Sequence, residues 1–315
     1  MSEPSDDASN EGGSGAIPVW AGLATEARHP LSRGLDRMSA EEVVKLLLDE
    51  DRHGLETARD HAGEIARAAE WLAETLERGG DALLVGAGTS GRLAVLEAAE
   101  CPPTFGTAPE RIRAAIAGGP EAVFAAREGA EDREEEGAAL AAELRPNDLL
   151  VGLSASSVTA FVRGAIGAAR QRGARTVLLT CAAPESVGDA ADLVVALATG
   201  PEVLTGSTRL KAGSATKAAL NAITTAAMVR LGKVYENWMV DLRAGSAKLG
   251  DRARRIVAEA GGVPLATAAQ LLAAAGGEVK TAILMARLEL AAPAARERVA
   301  RSGGHLHRAL ADRGE

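Results

Sequence analysis

Gly86-Ala87-Gly88-Thr89-Ser90-Gly91-Arg92 decides how this chain is read. The stretch follows an apolar run, Ala82-Leu83-Leu84-Val85, and precedes a helix-like segment over residues 93–100. A strand, a turn of small residues and a helix start together expose backbone N–H groups that a phosphate can approach closely. Thr89 and Ser90 add hydroxyl donors at the helix entrance, so the expected ligand is an anion, a phosphorylated metabolite. The spacing matches G-x-G-x-x-G, but the next apolar run, 112–116, carries no acidic residue as a dinucleotide site requires, and no Gly-Lys-Ser/Thr closes the turn as in a P-loop. Alone, such a turn reads equally well as a tight connection.

Working outward, apolar runs at 82–85, 112–116, 149–153, 176–181 and 193–197 alternate with helical patterns, among them 131–144 and 159–171. Continuous apolar strands separated by helices imply an α/β fold, a doubly wound and mainly parallel five-stranded sheet covered on both faces. Ligands of such a sheet bind beyond the carboxyl ends of its strands. Upstream, Ser39 with Glu41-Glu42 marks a capped helix, and a second helix spans about 60–77. After Gly200 the strand signal disappears, and a long helix is expected over 211–231. Residues 1–16, rich in Ser, Gly, Asp and Glu, read as a disordered tail. Residues 17–249 are expected to form the sheet domain with its N-terminal helices, and 250–315 a small helical domain. No internal repeat is evident.

The 315 residues carry a formal net charge of -8, 47% hydrophobic and 25% charged residues, but only 2% aromatics. That balance argues against nucleic acid or an anionic membrane as partner, and the aromatics are too few to build base-stacking platforms. Cys101 and Cys181 suit a reduced compartment, the five histidines form no recognisable metal-ligand set, and no run approaches membrane-spanning length. With no signal peptide at its start, the chain reads as a cytoplasmic enzyme or binding protein.

Several further stretches carry chemistry. Glu100 leads into Cys101-Pro102-Pro103-Thr104, and two prolines are expected to stop the helix there. In a last helical turn the dipole would raise the pKa of Glu100 and suit it to general-acid work; a solvated glutamate is the simpler reading. Glu128 to Glu136 opens another helix as a mostly solvated acidic face, with Glu131 the member nearest the helix start and so the one most able to reach a site above the sheet. Ser154-Ala155-Ser156-Ser157-Val158-Thr159 is a second hydroxyl-rich turn, able to contact a phosphate or sugar through Ser154, Ser156 and Thr159, or simply an N-cap cluster. Between Glu202 and Lys217 lie one acid, three basic residues and many hydroxyls; Arg209 could hold an anion or pair with surface carboxylates.

Together these stretches resemble the N-acetylmuramic acid 6-phosphate etherases, which carry a sugar isomerase (SIS) domain. The matching residues are Thr25-Glu26, Leu35-Asp36, Asp49-Glu50-Asp51, the turn 86–92, Glu100-Cys101-Pro102-Pro103-Thr104, Glu128-Gly129-Ala130-Glu131-Asp132, Thr205-Gly206-Ser207 through Gly213, Gly232-Lys233-Val234, Asn237 and Met239-Val240-Asp241. The resemblance implies a lyase without cofactor or metal that releases D-lactate from the phosphosugar, with Glu131 as base and Glu100 as proton donor. Where etherases read Ser-Gly-Arg-Thr-Pro-Tyr, this chain has Ser156-Ser157-Val158-Thr159-Ala160-Phe161, so Val158 replaces an arginine. A non-catalytic phosphosugar-binding regulator, similar to the glucokinase regulatory protein, is the alternative; an aldose–ketose isomerase resembles the chain less. Eleven residues separate Thr89 from Glu100, roughly 16 Å along a continuous helix at about 1.5 Å per residue. Unless that helix breaks early, Glu100 must serve a site on a second copy, and a homodimer is expected.

Overall fold

Ser39 opens α1 (Ala40–Asp60) through a capping box: its hydroxyl accepts the Glu42 N–H at 3.3 Å, and the Glu42 carboxylate accepts the Ser39 N–H at 2.7 Å. After one residue, α2 (Ala62–Glu77) turns Ile65, Ala68, Ala69, Leu72 and Ala73 into the core. The computed structural model describes residues 22–242 and 246–311; the expected tail, 1–16, lies outside the described residues.

The strands are β1 (Ala82–Gly86), β2 (Ile112–Ile116), β3 (Leu149–Leu153), β4 (Arg175–Thr180) and β5 (Leu193–Ala196), all parallel in the order β2-β1-β3-β4-β5. Every residue of β1 and β3 is buried, as a sheet covered on both faces requires. One face packs under α1, α2, α3 (Gly88–Phe105) and α6 (Lys211–Arg230), around Leu84, Val151, Leu179 and Ile223. The other carries α4 (Glu134–Ala141) and α5 (Ala160–Gln171), around Val85, Leu150, Phe161 and Ile166. Strand order reverses between β1 and β3, so the turns after these two strands flank the switch point where a doubly wound sheet binds its ligand.

The last two of these helices touch through glycine. A Cβ on Gly137 would stand 1.9 Å from the Phe161 carbonyl oxygen, and one on Gly164 would stand 2.2 Å from that of Glu134. Each helix therefore lays backbone directly on its neighbour.

Three expectations need correction. The prolines at 102 and 103 do not stop α3, which runs on to Phe105 and ends at Gly106 in the left-handed region (φ +65). Cys101 and Phe105, four residues apart and both buried, hold that last turn against the core. The helix expected from 131 instead begins at Glu134, after a separate 3-10 turn, Ala130–Asp132. Strand structure also does not end at Gly200: β6 (Val234–Tyr235) and β7 (Trp238–Met239) form an antiparallel ribbon whose turn residue Glu236 takes φ +50.

Helices α7 (Ala247–Gly261), α8 (Leu265–Ala274), α9 (Val279–Leu288), α10 (Ala292–Arg301) and α11 (Leu306–Ala311) surround their own core, to which Val240 and Leu242 contribute. Asp241 ties this core to the sheet domain, accepting from Lys233 at 2.9 Å and Lys280 at 2.7 Å. Burial holds the Lys280 ammonium below the ordinary lysine range, although Asp241 opposes the shift. No single helix among the described residues is long and apolar enough to cross a membrane.

Candidate active site

At the carboxyl end of β1 the chain must turn within van der Waals contact of itself. A Cβ on Gly91 would lie 2.7 Å from the Gly86 carbonyl oxygen and 2.5 Å from Ile116 Cγ1, and Gly88 takes φ +52. Only small residues fit, and the turn delivers the first N–H groups of α3 beyond the strand end. Ala87, its N-cap, offers no side-chain acceptor to them. Unsatisfied N–H groups at the positive end of a helix form an anion seat. Thr89 and Ser90 stand half-buried in that first turn.

Ala87, Gly88 and Arg92 line a cleft of about 220 Å³ whose opposite wall is Ala126 to Glu131. Gly129, at φ +69, reverses the chain so that buried Ala130 anchors the 3-10 turn while the Glu131 carboxylate stays exposed at the cleft. Arg92 braces the cleft with 2.8 Å bonds from its guanidinium to the Ala122 and Val123 carbonyls. The structure thus brings Glu131 to the first turn.

The second turn follows β3. Ser154 is buried, its hydroxyl 2.8 Å from that of Thr159, the N-cap residue of α5; neither hydroxyl caps the helix. Ser156 accepts the Val158 N–H at 3.5 Å, and Ser157 takes φ +67, a conformation glycine adopts freely. Val158 lines a separate cavity of about 460 Å³ that extends along α5.

Glu202 has a different task from the one its neighbours suggest. It is buried, and its two carboxylate oxygens accept the Lys211 N–H at 3.1 Å and the Ala212 N–H at 2.9 Å, capping α6. Burial raises its pKa, against those two bonds. Arg209 is exposed and lines neither the cleft nor the cavity. Glu100 is exposed near the far end of α3, and because that helix is unbroken it stands roughly 16 Å from Thr89. Within one chain Glu100 and Glu131 are not brought together, and Glu100 does not occupy the last helical turn from which an acid role was argued.

Sequence reading missed two buried charge clusters. Glu97 accepts from Thr224 at 2.6 Å and Lys217 at 3.0 Å; its signal was an acid within the apolar stripe Ala94, Cys101, Phe105. Burial, with Glu97 and Glu100 adding, pushes the adjacent Cys101 thiol up to about 12. Glu50 accepts from Lys211 at 2.6 Å and lies 3.2 Å from His29 Nε2. Burial works to raise the Glu50 pKa, but Lys211 and His29 together hold it below the usual range. The Thr25 hydroxyl is buried without a hydrogen-bond partner among the described residues. No group of three or more His, Cys, Asp or Glu among those residues is arranged to hold a metal.

Residues 64–170 match the glucokinase regulatory protein N-terminal SIS domain, and residues 130–226 match the SIS domain. The N-acetylmuramic acid 6-phosphate etherase of Mycolicibacterium smegmatis is 47% identical over 290 residues, covering 91% of this chain and 97% of the relative. That of Rubrobacter xylanophilus is 48% identical over 292 residues, covering 92% and 96%. That of Salmonella agona is 46% identical over 290 residues, covering 91% and 98%. Similarity of this degree along nearly the whole of each chain has one meaning: the protein belongs to the N-acetylmuramic acid 6-phosphate etherase family.

Proposed function

We propose that this chain cleaves the D-lactyl ether of N-acetylmuramic acid 6-phosphate, giving N-acetylglucosamine 6-phosphate and D-lactate, in cytoplasmic recycling of cell-wall amino sugars. The observation that carries the reading is the shared cleft: Glu131 faces the N-terminus of α3 across about 220 Å³. A phosphate held by the first-turn N–H groups and the Thr89 and Ser90 hydroxyls places the sugar within reach of that carboxylate. Ser154, Ser156 and Thr159 supply hydroxyls from the neighbouring turn.

In the open-chain sugar the carbon-2 proton is acidified by the adjacent aldehyde. Glu131 removes it, the electron pair forms a bond between carbons 2 and 3, and the carbon 3–oxygen bond breaks. Glu100, from a second copy, gives its proton to the departing lactyl oxygen. Water then returns hydroxyl to carbon 3 and a proton to carbon 2. Two carboxyl groups in opposite protonation states suffice for this sequence.

A homodimer supplies the second carboxyl. Leu96, one turn before Glu100, is 42% exposed and Phe124 92% exposed. An apolar groove of about 560 Å³ runs beside edge strand β2 between Val95, Val123 and Leu140. Exposed apolar surface of this kind favours pairing. The test is D-lactate release from N-acetylmuramic acid 6-phosphate, with Glu100→Gln and Glu131→Gln subunits inactive alone and partly active when mixed. Binding without release would favour the regulator, and inactive verified heterodimers would refute the shared site.

A further inference from the structure

The proposed substrate carries two anions, a phosphate and the carboxylate of its lactyl arm, whereas the sugar product carries only the phosphate. The first-turn N–H groups and hydroxyls account for one of them. A carboxylate entering a partly desolvated site needs a cation, and Val158, which the resemblance sets opposite an arginine, supplies none.

Four guanidinium groups line the cleft beside Glu131 and the cavity beside Val158: Arg92, Arg127, Arg163 and Arg170. Three are already occupied. Arg92 donates to the Ala122 and Val123 carbonyls, Arg127 pairs with Glu121, and Arg170 pairs with Asp192 at 3.2 Å and donates to the Asp189 carbonyl at 3.1 Å. Arg163 has no ion pair or side-chain hydrogen bond among the described residues. It is exposed and lies on the first turn of α5, five residues beyond Val158, with which it shares the cavity of about 460 Å³. Glu134, three residues beyond Glu131, stands in the wall of that same cavity, so the cavity opens beside the turn that carries the base.

We propose that Arg163 is the specificity determinant for the lactyl carboxylate, its charge approaching from one helical turn further along the chain than the position vacated at Val158. The smaller valine leaves the cavity mouth open for the longer reach, and the guanidinium fork suits a carboxylate in two-point contact. This inference rests on the etherase reading and names the residue that recognises its substrate.

The test separates the two. In a Glu131→Gln background, which does not turn over substrate, calorimetry gives the dissociation constants of N-acetylmuramic acid 6-phosphate and N-acetylglucosamine 6-phosphate. Arg163→Ala is expected to weaken the first by about tenfold, the strength of one charge-assisted contact at an exposed site, and the second by less than twofold. Arg163→Lys retains part of the preference, and adding Val158→Arg to Arg163→Ala restores it. Equal weakening of both ligands, or no change in either, overturns the assignment. Absence of D-lactate release from the unaltered protein would defeat the etherase reading, while the ratio of the two dissociation constants still decides on Arg163.

Discussion

Replacing Gly137 by alanine opposes two effects of known sign. Glycine inside a helix costs about 1 kcal/mol relative to alanine, so propensity alone predicts that the change stabilises α4. The contact predicts the reverse, because the new methyl would lie 1.9 Å from the Phe161 carbonyl oxygen and 2.8 Å from its carbon. Both are backbone atoms and no rotamer can relieve them, so the two helices must part by more than 1 Å. Overpacking of this kind costs about 1–3 kcal/mol, and a backbone clash falls at the upper end. The net expectation is a loss of about 2 kcal/mol, a fall in Tm of about 4–8 °C for a domain of this size. Parting the helices also moves the adjoining 3-10 turn that carries Glu131. A displacement near 1 Å at a catalytic group lowers turnover by up to about 100-fold. Thermal unfolding followed by circular dichroism and a D-lactate assay read the two effects separately. A higher Tm with unchanged turnover would refute the packing argument.

Glu202→Ala should leave the Lys211 and Ala212 N–H groups buried without an acceptor, costing roughly 2–5 kcal/mol in urea unfolding; a loss under 1 kcal/mol would mean that the α6 terminus rearranges. Asp148 resembles Glu50: burial favours its neutral form, but Arg145 and two backbone N–H groups hold its pKa below the usual range. Carboxylates depressed on folding stabilise the protein above their unfolded pKa and lose that contribution as pH falls through the folded value. Tm should therefore hold from pH 7 to about 5 and fall below about 4.5, with Glu50→Gln and Asp148→Asn flattening the acid limb; unchanged limbs in both variants would exclude these groups. Burial pushes the Cys101 thiol up to about 12 and the Cys181 thiol to about 11. Neither should react with a thiol reagent at pH 8 until urea unfolds the chain, and rapid labelling of the native protein would contradict the buried placement.

The sheet was legible because its strands are nearly uninterrupted apolar runs. The bounds read for residues 112–116 and 149–153 coincide with β2 and β3, and the turn after β1 was recognisable from its glycines. What escaped depended on contacts across the fold. Pro102 and Pro103 carry a strong local stop signal, yet burial of Cys101 and Phe105 outweighs it, with Gly106 marking the true end. The ribbon formed by β6 and β7 has only two residues per strand, too few for alternation to register. Glu131 was singled out as the acid nearest a helix start, but that helix begins only at Glu134, and the 3-10 turn that presents Glu131 depends on the left-handed Gly129. Glu202 stood out only as the one acid of a hydroxyl-rich stretch, and nothing local indicates that its partners are N–H groups nine and ten residues ahead.

That internal cap has a consequence for where charge can settle. Two helices begin side by side at the top of the sheet: a Cβ on Gly213, in the first turn of α6, would lie 3.7 Å from Thr89 Cγ2. Left bare, both would attract a dianion, and a phosphate straddling them would have two competing resting positions. The Glu202 carboxylate plugs the second socket from within and turns it from an attractor into a neutral or repelling wall. Of these two neighbouring termini, only that of α3 keeps uncapped N–H groups to offer an anion.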